Sequence, residues 1–270
     1  MRKIWKPADI IEKLRGRLEK ARRLVLFLDY DGTLRPIAPR PQDALPGAAL
    51  LALLRRLEQT NRMTVAIVTG RPVRNIRRFL PLQHTWFVGT HGVEWCHGIG
   101  TPRRLIDTRG AETAIQKIIK KLEPKLNASF TLEKKGFSLS LHHRLAEPAR
   151  RRDIFKVLRK WVRPYVSNQI LKLTWSKGAV EAAPFAANKG LAVDAVLQGR
   201  SDEETFCLAM GDDRIDEALF RKMDTVGGVG IVVGDRPSMA RMRLGAPRDT
   251  QDFLRRLQKI WAQKIGQDSA

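Results

Sequence analysis

The sequence predicts an α/β fold: a mainly parallel, Rossmann-like sheet flanked by helices, with a small α+β insert. Three observations predict it. Short apolar runs alternate with helical patterns in both end regions of the chain, as parallel strands covered on both faces do. Acidic or hydroxyl residues directly follow three of those runs, where α/β sheets place their ligands. The middle of the chain changes pattern, to helix, hairpin, helix, hairpin.

Each element follows from its own residues. Residues 8–22 space apolar side chains as an amphipathic, basic helix. Leu24-Val25-Leu26-Phe27-Leu28 is an unbroken apolar run ending in Asp29, a strand buried on both faces. Residues 46–60 form a helix opened by Pro46, whose missing N–H costs nothing in a first turn. Residues 64–68 are a second buried strand, followed by Thr69-Gly70-Arg71-Pro72 and a short basic helix. Residues 85–89 are a third strand. Downstream, residues 188–197, 214–222 and 249–263 read as helices, and 205–210 and 228–233 as strands. In the middle, 110–126 and 148–162 are helical by spacing. Strands are expected at 130–133, 137–141, 170–174 and 179–182. The expected organisation is therefore a core over 1–104, an insert over 105–185, and the rest of the core over 186–270.

Composition narrows the partners. The 270 residues include 50 Lys+Arg against 28 Asp+Glu, a formal charge of +22, and 43% are hydrophobic, so this is no disordered basic tail. Such an excess attracts anions: nucleic acid, an acidic membrane surface or a phosphorylated small molecule. No stretch approaches the roughly 20 apolar residues needed to span a bilayer. Charges follow Met1-Arg2-Lys3 where a signal peptide would be apolar. Cys96 and Cys207 are too few for a disulfide framework and form no C-x-x-C pair. A cytoplasmic chain with two reduced, core-packed thiols is expected. There is no zinc-finger pattern or RNP-like aromatic motif to make nucleic acid the main partner.

The most informative stretch is Asp29-Tyr30-Asp31-Gly32-Thr33 at the end of the first strand. In extended backbone, side chains two apart share a side, so Asp29 and Asp31 can converge. Close carboxylates raise each other's pKa unless a cation is near. A hard, oxygen-loving ion such as Mg²⁺ relieves this and also binds a phosphate oxygen. Gly32 permits the sharp exit turn. Asp29 is then placed to attack phosphorus, and Asp31 to carry the leaving group's proton.

An apolar strand followed by D-x-D-G-T resembles the first motif of the haloacid-dehalogenase-like (HAD) phosphohydrolases. The resemblance implies a phosphoaspartate on Asp29, Asp31 as acid/base, and Mg²⁺ held by the Asp29 carboxylate and the Asp31 carbonyl. It extends to three further motifs, in the family's order. Thr69, ending the second strand, matches the hydroxyl residue of the second motif and can donate to a phosphoryl oxygen. Lys189, in Asn188-Lys189-Gly190, matches the third and can neutralise phosphate and carboxylates. Gly211-Asp212-Asp213-Arg214-Ile215-Asp216-Glu217 matches the fourth. There Asp212 is the implied third protein ligand of Mg²⁺. Asp213 either binds metal-ligated water or orients Lys189. Asp216 either supports the site from behind or caps the following helix.

The insert lies between the second and third motifs, where this superfamily places one class of α/β cap. Three stretches resemble the trehalose-6-phosphate phosphatases. They are Gly89-Thr90-His91-Gly92-Val93-Glu94; Glu133-Lys134-Lys135-Gly136-Phe137-Ser138 with His142-His143-Arg144; and Glu181-Ala182-Ala183-Pro184 before Asn188-Lys189. His143 stands where that family has Tyr, and Ile215 where it usually has Thr. The resemblance spans roughly residues 24–258. It implies a cytoplasmic, Mg²⁺-dependent phosphatase of trehalose biosynthesis acting on trehalose 6-phosphate. Glucosylglycerol, sucrose and mannosylglycerate phosphates are the alternatives. None of these motifs specifies a synthase partner.

The expected substrate contacts are Gly70 and Arg71 beside Thr69, together with Glu133, Lys135, Arg144, Lys177 and Glu181 in the insert. Carboxylates accept from sugar hydroxyls, and the cations donate to hydroxyls or phosphate. His91 and Glu94 either line the site or fix the local fold. The charge is uneven: residues 105–185 hold 17 Lys+Arg and 7 Asp+Glu, a net of +10, leaving +12 for the other 189 residues. A basic insert suits a dianionic sugar phosphate.

Overall fold

The structure, a computed structural model, describes residues 3–176, 178–199 and 204–268. The chain opens with α1 (Pro7–Lys20), β1 (Arg23–Leu28), α2 (Ala48–Gln59), β2 (Met63–Val68), α3 (Val73–Phe79), β3 (Trp86–Gly89), β4 (Glu94–His97) and β5 (Arg103–Arg104). Then come α4 (Arg109–Leu122), β6 (Thr131–Lys134), β7 (Leu139–His142), α5 (Pro148–Ser167), β8 (Leu171–Ser176) and β9 (Ala179–Pro184). It closes with α6 (Leu191–Leu197), β10 (Thr205–Gly211), α7 (Glu217–Thr225), β11 (Val229–Val233), β12 (Met242–Leu244) and α8 (Pro247–Asp268). Two compact units result: Met1–Leu105 with Asn188–Ala270, and Ile106–Ala187.

In the first unit, eight strands are ordered β12-β11-β10-β1-β2-β3-β4-β5, parallel from β12 through β3 and antiparallel beyond. The run that makes β1 explains its central place. Leu24, Leu26 and Leu28 face a layer built from α1, α2 and α8, while Val25 and Phe27 face α6 and α7. Both faces are covered, so an alternating polar pattern has no place there. The registers align Leu28 with Met210 of β10 and Ile67 of β2, which brings the ends of β10, β1 and β2 to one edge of the sheet.

The strands β4, β5 and β12, at or next to the two edges of the sheet, carry no strand signal in the sequence. They are short and mixed in polarity, and edges need no continuous apolar run. Helix α5 continues to Ser167 past Pro164. The proline removes one ladder bond in the last turn, where little helix remains to be disrupted. Helix α7 begins at Glu217 after a 3₁₀ turn over Arg214–Asp216. Asp213 accepts from turn N–H groups while Asp216 accepts from the Asp213 N–H, a reciprocal capping box.

The second unit is a four-stranded antiparallel sheet ordered β6-β7-β9-β8. Period-two alternation sorts its faces. Leu139, Leu141, Val180 and Ala182 pack against α4 and α5. Glu133, Ser140, Glu181 and Thr174 align as one row across all four strands on the opposite face. No helix among the described residues is long and apolar enough to cross a membrane.

Candidate active site

The parallel register of β1 and β10 decides what meets what. Asp29 leaves β1 donating its N–H to the Met210 carbonyl (3.0 Å), so its side chain stands beside Gly211 and Asp212. The turn after it depends on Gly32, whose φ is +91°; a Cβ there would lie 2.1 Å from Asp212 Oδ2. That close approach lets the fourth motif's first carboxylate reach the first motif. Oxygens of Asp29, Asp212 and Asp216 all lie within 4.8 Å of one another.

Lys189 and Thr33 tie the buried centre together. Lys189 Nζ donates to Asp29 Oδ1 and Asp216 Oδ1, each at 2.6 Å. Thr33 Oγ1 lies 3.0 Å from Asp29 Oδ2 and 3.2 Å from Asp212 Oδ1. Asp216, fully buried, also accepts from the Asp213 N–H at 2.9 Å. Asp216 therefore both orients Lys189 and braces the turn, while Asp213 Oδ1 accepts from the Arg214 N–H (2.6 Å). Asp216 rather than Asp213 contacts the lysine, and its side chain braces the 3₁₀ turn without capping α7.

Electrostatics follows from burial. Asp29 is pushed well above the ordinary carboxylate range, by desolvation first and then by Asp216 and Asp212, against the pull of Lys189. Asp212 is pushed up to about 6, again chiefly by burial and by Asp216. Desolvation alone would lower the Lys189 ammonium's pKa, but Asp216 and Asp29 outweigh it and hold the proton on. Three carboxylates thus share one fixed ammonium. Converging hard oxygens with excess negative charge fit an oxygen-preferring divalent cation. Asp216 is held by an ammonium on one oxygen and a backbone N–H on the other, whereas Asp29 Oδ2 and Asp212 Oδ1 share the single proton of the Thr33 hydroxyl, which leaves the Asp29 and Asp212 carboxylates as the better donors.

Asp31 lies apart from this cluster. Its carboxylate takes a two-point bond from Arg71, Nε to Oδ2 at 2.6 Å and a terminal nitrogen to Oδ1 at 2.9 Å. The other terminal nitrogen of Arg71 donates to the Pro41 carbonyl (2.8 Å), and the guanidinium lies over Phe79, 5.1 Å from its ring centroid. Arg71 therefore serves Asp31 directly. Thr69 is buried after β2, its Oγ1 accepting from the Arg71 N–H (3.2 Å).

Thr90 and His91 take left-handed backbone, φ +46° and +56°, which brings the imidazole against Gly70. A Cβ on Gly70 would lie 2.4 Å from His91 Cε1, so that glycine makes room for the ring. Glu94 fixes the local fold: Oε1 accepts from the Val73 N–H that opens α3 (2.6 Å) and from Thr90 Oγ1 (3.2 Å).

The insert forms its own polar cluster. Lys135 Nζ lies 3.1 Å from Glu181 Oε1 and 3.9 Å from Glu133 Oε2. His142 Nε2 lies 3.2 Å from Glu133 Oε2. Burial pushes the Glu133 carboxyl up, but the His142 hydrogen bond and the Lys135 charge prevail and hold it below the usual range. His143 faces the other way, its ring edge-on to Phe155 with centroids 4.9 Å apart, on the helix side of the sheet. Arg144 packs over Gly178, where a Cβ would lie 2.3 Å from its Cγ. Lys177 lies outside the described residues.

Three participants carry no role on sequence grounds. Thr33 is visible within the first motif, yet the motif alone gives its hydroxyl no partner. His142 shares its strand face with Ser140, which period-two counting can show. Arg236 carries no local signal: its guanidinium reaches back to Asp212 and Asp213, 24 and 23 residues away in sequence.

A buried aspartate at a strand's carboxyl end, with a fixed lysine and clustered acids from the strand beside it, defines a HAD-fold phosphoric monoester hydrolase. Residues 27–247 match the family model described as Trehalose-phosphatase, and the chain belongs to that family. Trehalose 6-phosphate phosphatase RA3 of Zea mays is 29% identical, across 88% of this chain and 70% of that protein. Trehalose-phosphate phosphatase B of Arabidopsis thaliana is 28% identical, across 92% and 70%. Among solved structures, the C. albicans trehalose-6-phosphate phosphatase C-terminal domain gives a TM-score of 0.80 at 22% identity, covering 96% of this chain and 99% of that one. A trehalose-6-phosphate phosphatase related protein gives 0.75 at 24%, covering 89% and 99%. These two share its fold.

Proposed function

We propose that the chain hydrolyses trehalose 6-phosphate to trehalose and inorganic phosphate through an aspartyl phosphate on Asp29, with Mg²⁺ as cofactor. One observation carries the chemistry: the Asp29 carboxylate, buried at the end of β1, is held by both Lys189 and Thr33 within 4.8 Å of the Asp212 and Asp216 carboxylates. Family membership and the names of its relatives support the sugar.

The steps balance on this chain's own residues. An Asp29 oxygen attacks phosphorus as the bond from phosphorus to the sugar oxygen breaks, and Asp31 gives that oxygen its proton. Asp31 then takes a proton from water, whose oxygen attacks phosphorus, and the bond to Asp29 breaks. Lys189 and the Thr69 hydroxyl stabilise the phosphoryl oxygens. The Asp29 and Asp212 carboxylates and the Asp31 carbonyl would hold Mg²⁺, which when bound would supply charge neutralisation. In the insert, Glu133, Lys135, Glu181 and Arg144 recognise the sugar hydroxyls.

The test is phosphate release from a panel of phosphosugars, with and without chelator. Trehalose 6-phosphate should exceed glucosylglycerol, sucrose and mannosylglycerate phosphates severalfold, and chelator should stop release. Asp29→Asn should lower the rate on the order of 10⁴-fold or more, the scale of losing a covalent nucleophile. A variant retaining most of the activity would remove Asp29 from the role, and a flat panel would remove the sugar assignment.

A further inference from the structure

We infer that Arg236, braced by the buried Arg243, is a positioning residue that sets the cation affinity of the Asp212 turn. This rests on the reading of Asp212 as a cation ligand. Arg236 lies just beyond β11, in Gly234-Asp235-Arg236-Pro237, and its side chain is 17% exposed. Its Nε donates to the Asp212 carbonyl (2.7 Å) and one terminal nitrogen to the Asp213 carbonyl (2.5 Å). The other terminal nitrogen donates to Glu217 Oε1 (2.5 Å) and the Pro237 carbonyl (2.8 Å). Four of the five guanidinium N–H bonds are thus spent, two on consecutive carbonyls of the fourth motif, one on the first residue of α7 and one on the neighbouring Pro237 carbonyl.

The fork is itself held. Arg243, on β12 and 4% exposed, donates to the Arg236 carbonyl (2.7 Å) and to the Gly234 carbonyl. Arg243 in turn pairs with Val232 in the sheet. A rigid path therefore runs from the edge of the sheet through two guanidinium groups to the backbone that carries the Asp212 carboxylate. That carboxylate has little freedom to be misplaced, because it rests where a Cβ on Gly32 would be. A small rotation of the Asp212–Asp213 peptide would pull its oxygens from the converging set. Lysine at 236 would keep the charge beside Glu217 but could not hold both carbonyls in one plane.

The experiment is calorimetric titration of Mg²⁺ into the full chain, with the Mg²⁺ dependence of phosphate release measured alongside. Arg236→Ala and Arg236→Lys should both weaken Mg²⁺ binding about 10-fold or more, the usual effect of losing a support behind a metal ligand. At saturating Mg²⁺, kcat should recover to within severalfold of the parent and KM for the sugar phosphate should not move. Arg241→Ala, which breaks the nearby exposed pair with Asp224, should leave Mg²⁺ affinity unchanged. Should the alanine variant not fold, the lysine variant decides alone. Unchanged Mg²⁺ affinity with a lowered melting temperature would overturn the inference and leave Arg236 a loop tie. Asp212→Asn separates the two failures. If it too leaves Mg²⁺ affinity unchanged, the cation-ligand reading has failed, and the inference with it. If it abolishes binding while Arg236→Lys does nothing, only the inference has failed.

Discussion

The catalytic unit and the insert each gather carboxylates around a lysine, and they do so by different means. At the end of β1, Lys189 and its partners Asp29 and Asp216 are almost wholly buried, the acids drawn from two neighbouring parallel strands and the turn after the second. In the insert, Lys135 is as buried, but Glu133 keeps about a quarter of its side chain exposed, and the acids come from the register of an antiparallel sheet. The first arrangement fixes charge at a point, as phosphoryl chemistry needs. The second spreads donors and acceptors along a face, as recognition of several hydroxyls needs. Substitutions in the first should therefore cost rate and stability together, and substitutions in the second should cost mainly binding.

The largest effect tests the buried centre. Lys189→Met removes the ammonium and leaves Asp29 and Asp216 without their shared partner. Breaking one side of a buried ion pair costs about 3–5 kcal/mol, so the melting temperature should fall clearly. Phosphate release should drop at least about 10³-fold, beyond what KM explains. If the variant melts like the parent, the lysine is not what balances the buried acids.

A step down, Arg71→Ala frees the Asp31 carboxylate without removing it. Loss of a well-placed acid/base is worth about 10²–10⁴-fold, and the low end, about 10²-fold in kcat, is expected because Asp31 remains. The loss should be larger for a sugar phosphate than for an aryl phosphate, whose leaving oxygen needs no proton. Equal losses on both substrates would mean that Arg71 does not act through Asp31.

Across to the insert, Glu181→Gln should raise KM for the sugar phosphate about 10-fold, the value of one hydrogen bond to a charged group. Release from an aryl phosphate should be unaffected. An equal effect on both substrates would erase the contrast between the two regions.

The same contrast explains what is legible in the sequence. Asp29, Thr69 and Lys189 stand at strand ends or a helix start, where one-dimensional pattern and position in the fold coincide. The row Glu133, Ser140, Glu181 and Thr174 needs two hairpin registers, and no local rule fixes both. Arg71 reads as a substrate contact because a basic residue beside a phosphate site invites that reading; only the fold brings Asp31 to it, 40 residues away in sequence. Arg236 is 19 to 24 residues from the fourth-motif and α7 groups it holds, and nothing around it distinguishes it from the many other arginines. The strands β5 and β12, at the edges, and β4 beside β5 escape because strands at the margin of a sheet can be short and polar.

The smallest effect concerns His143, which occupies the position where the family resemblance leads one to expect tyrosine. The motif sets it beside the expected sugar contacts, but its ring packs edge-on against Phe155, on the helix side of the sheet. Its Nδ1 is buried without a hydrogen-bond partner, at a cost of about 1–3 kcal/mol for such a group. Burial, with Arg151 beside it, holds its pKa below the ordinary value of about 6.5. The unfolded chain therefore binds a proton near pH 6 more readily than the folded one does. Stability accordingly falls as pH drops through that range, and His143 contributes to the fall. His143→Phe keeps the ring packing and removes both the unpaired nitrogen and the titration. It should raise stability by about 1 kcal/mol at neutral pH and by more near pH 5, read from denaturant melts at the two values. KM for the sugar phosphate should stay within about twofold. A tenfold change in KM with unchanged stability would place His143 on the recognition face and break the assignment of the two sides of this sheet.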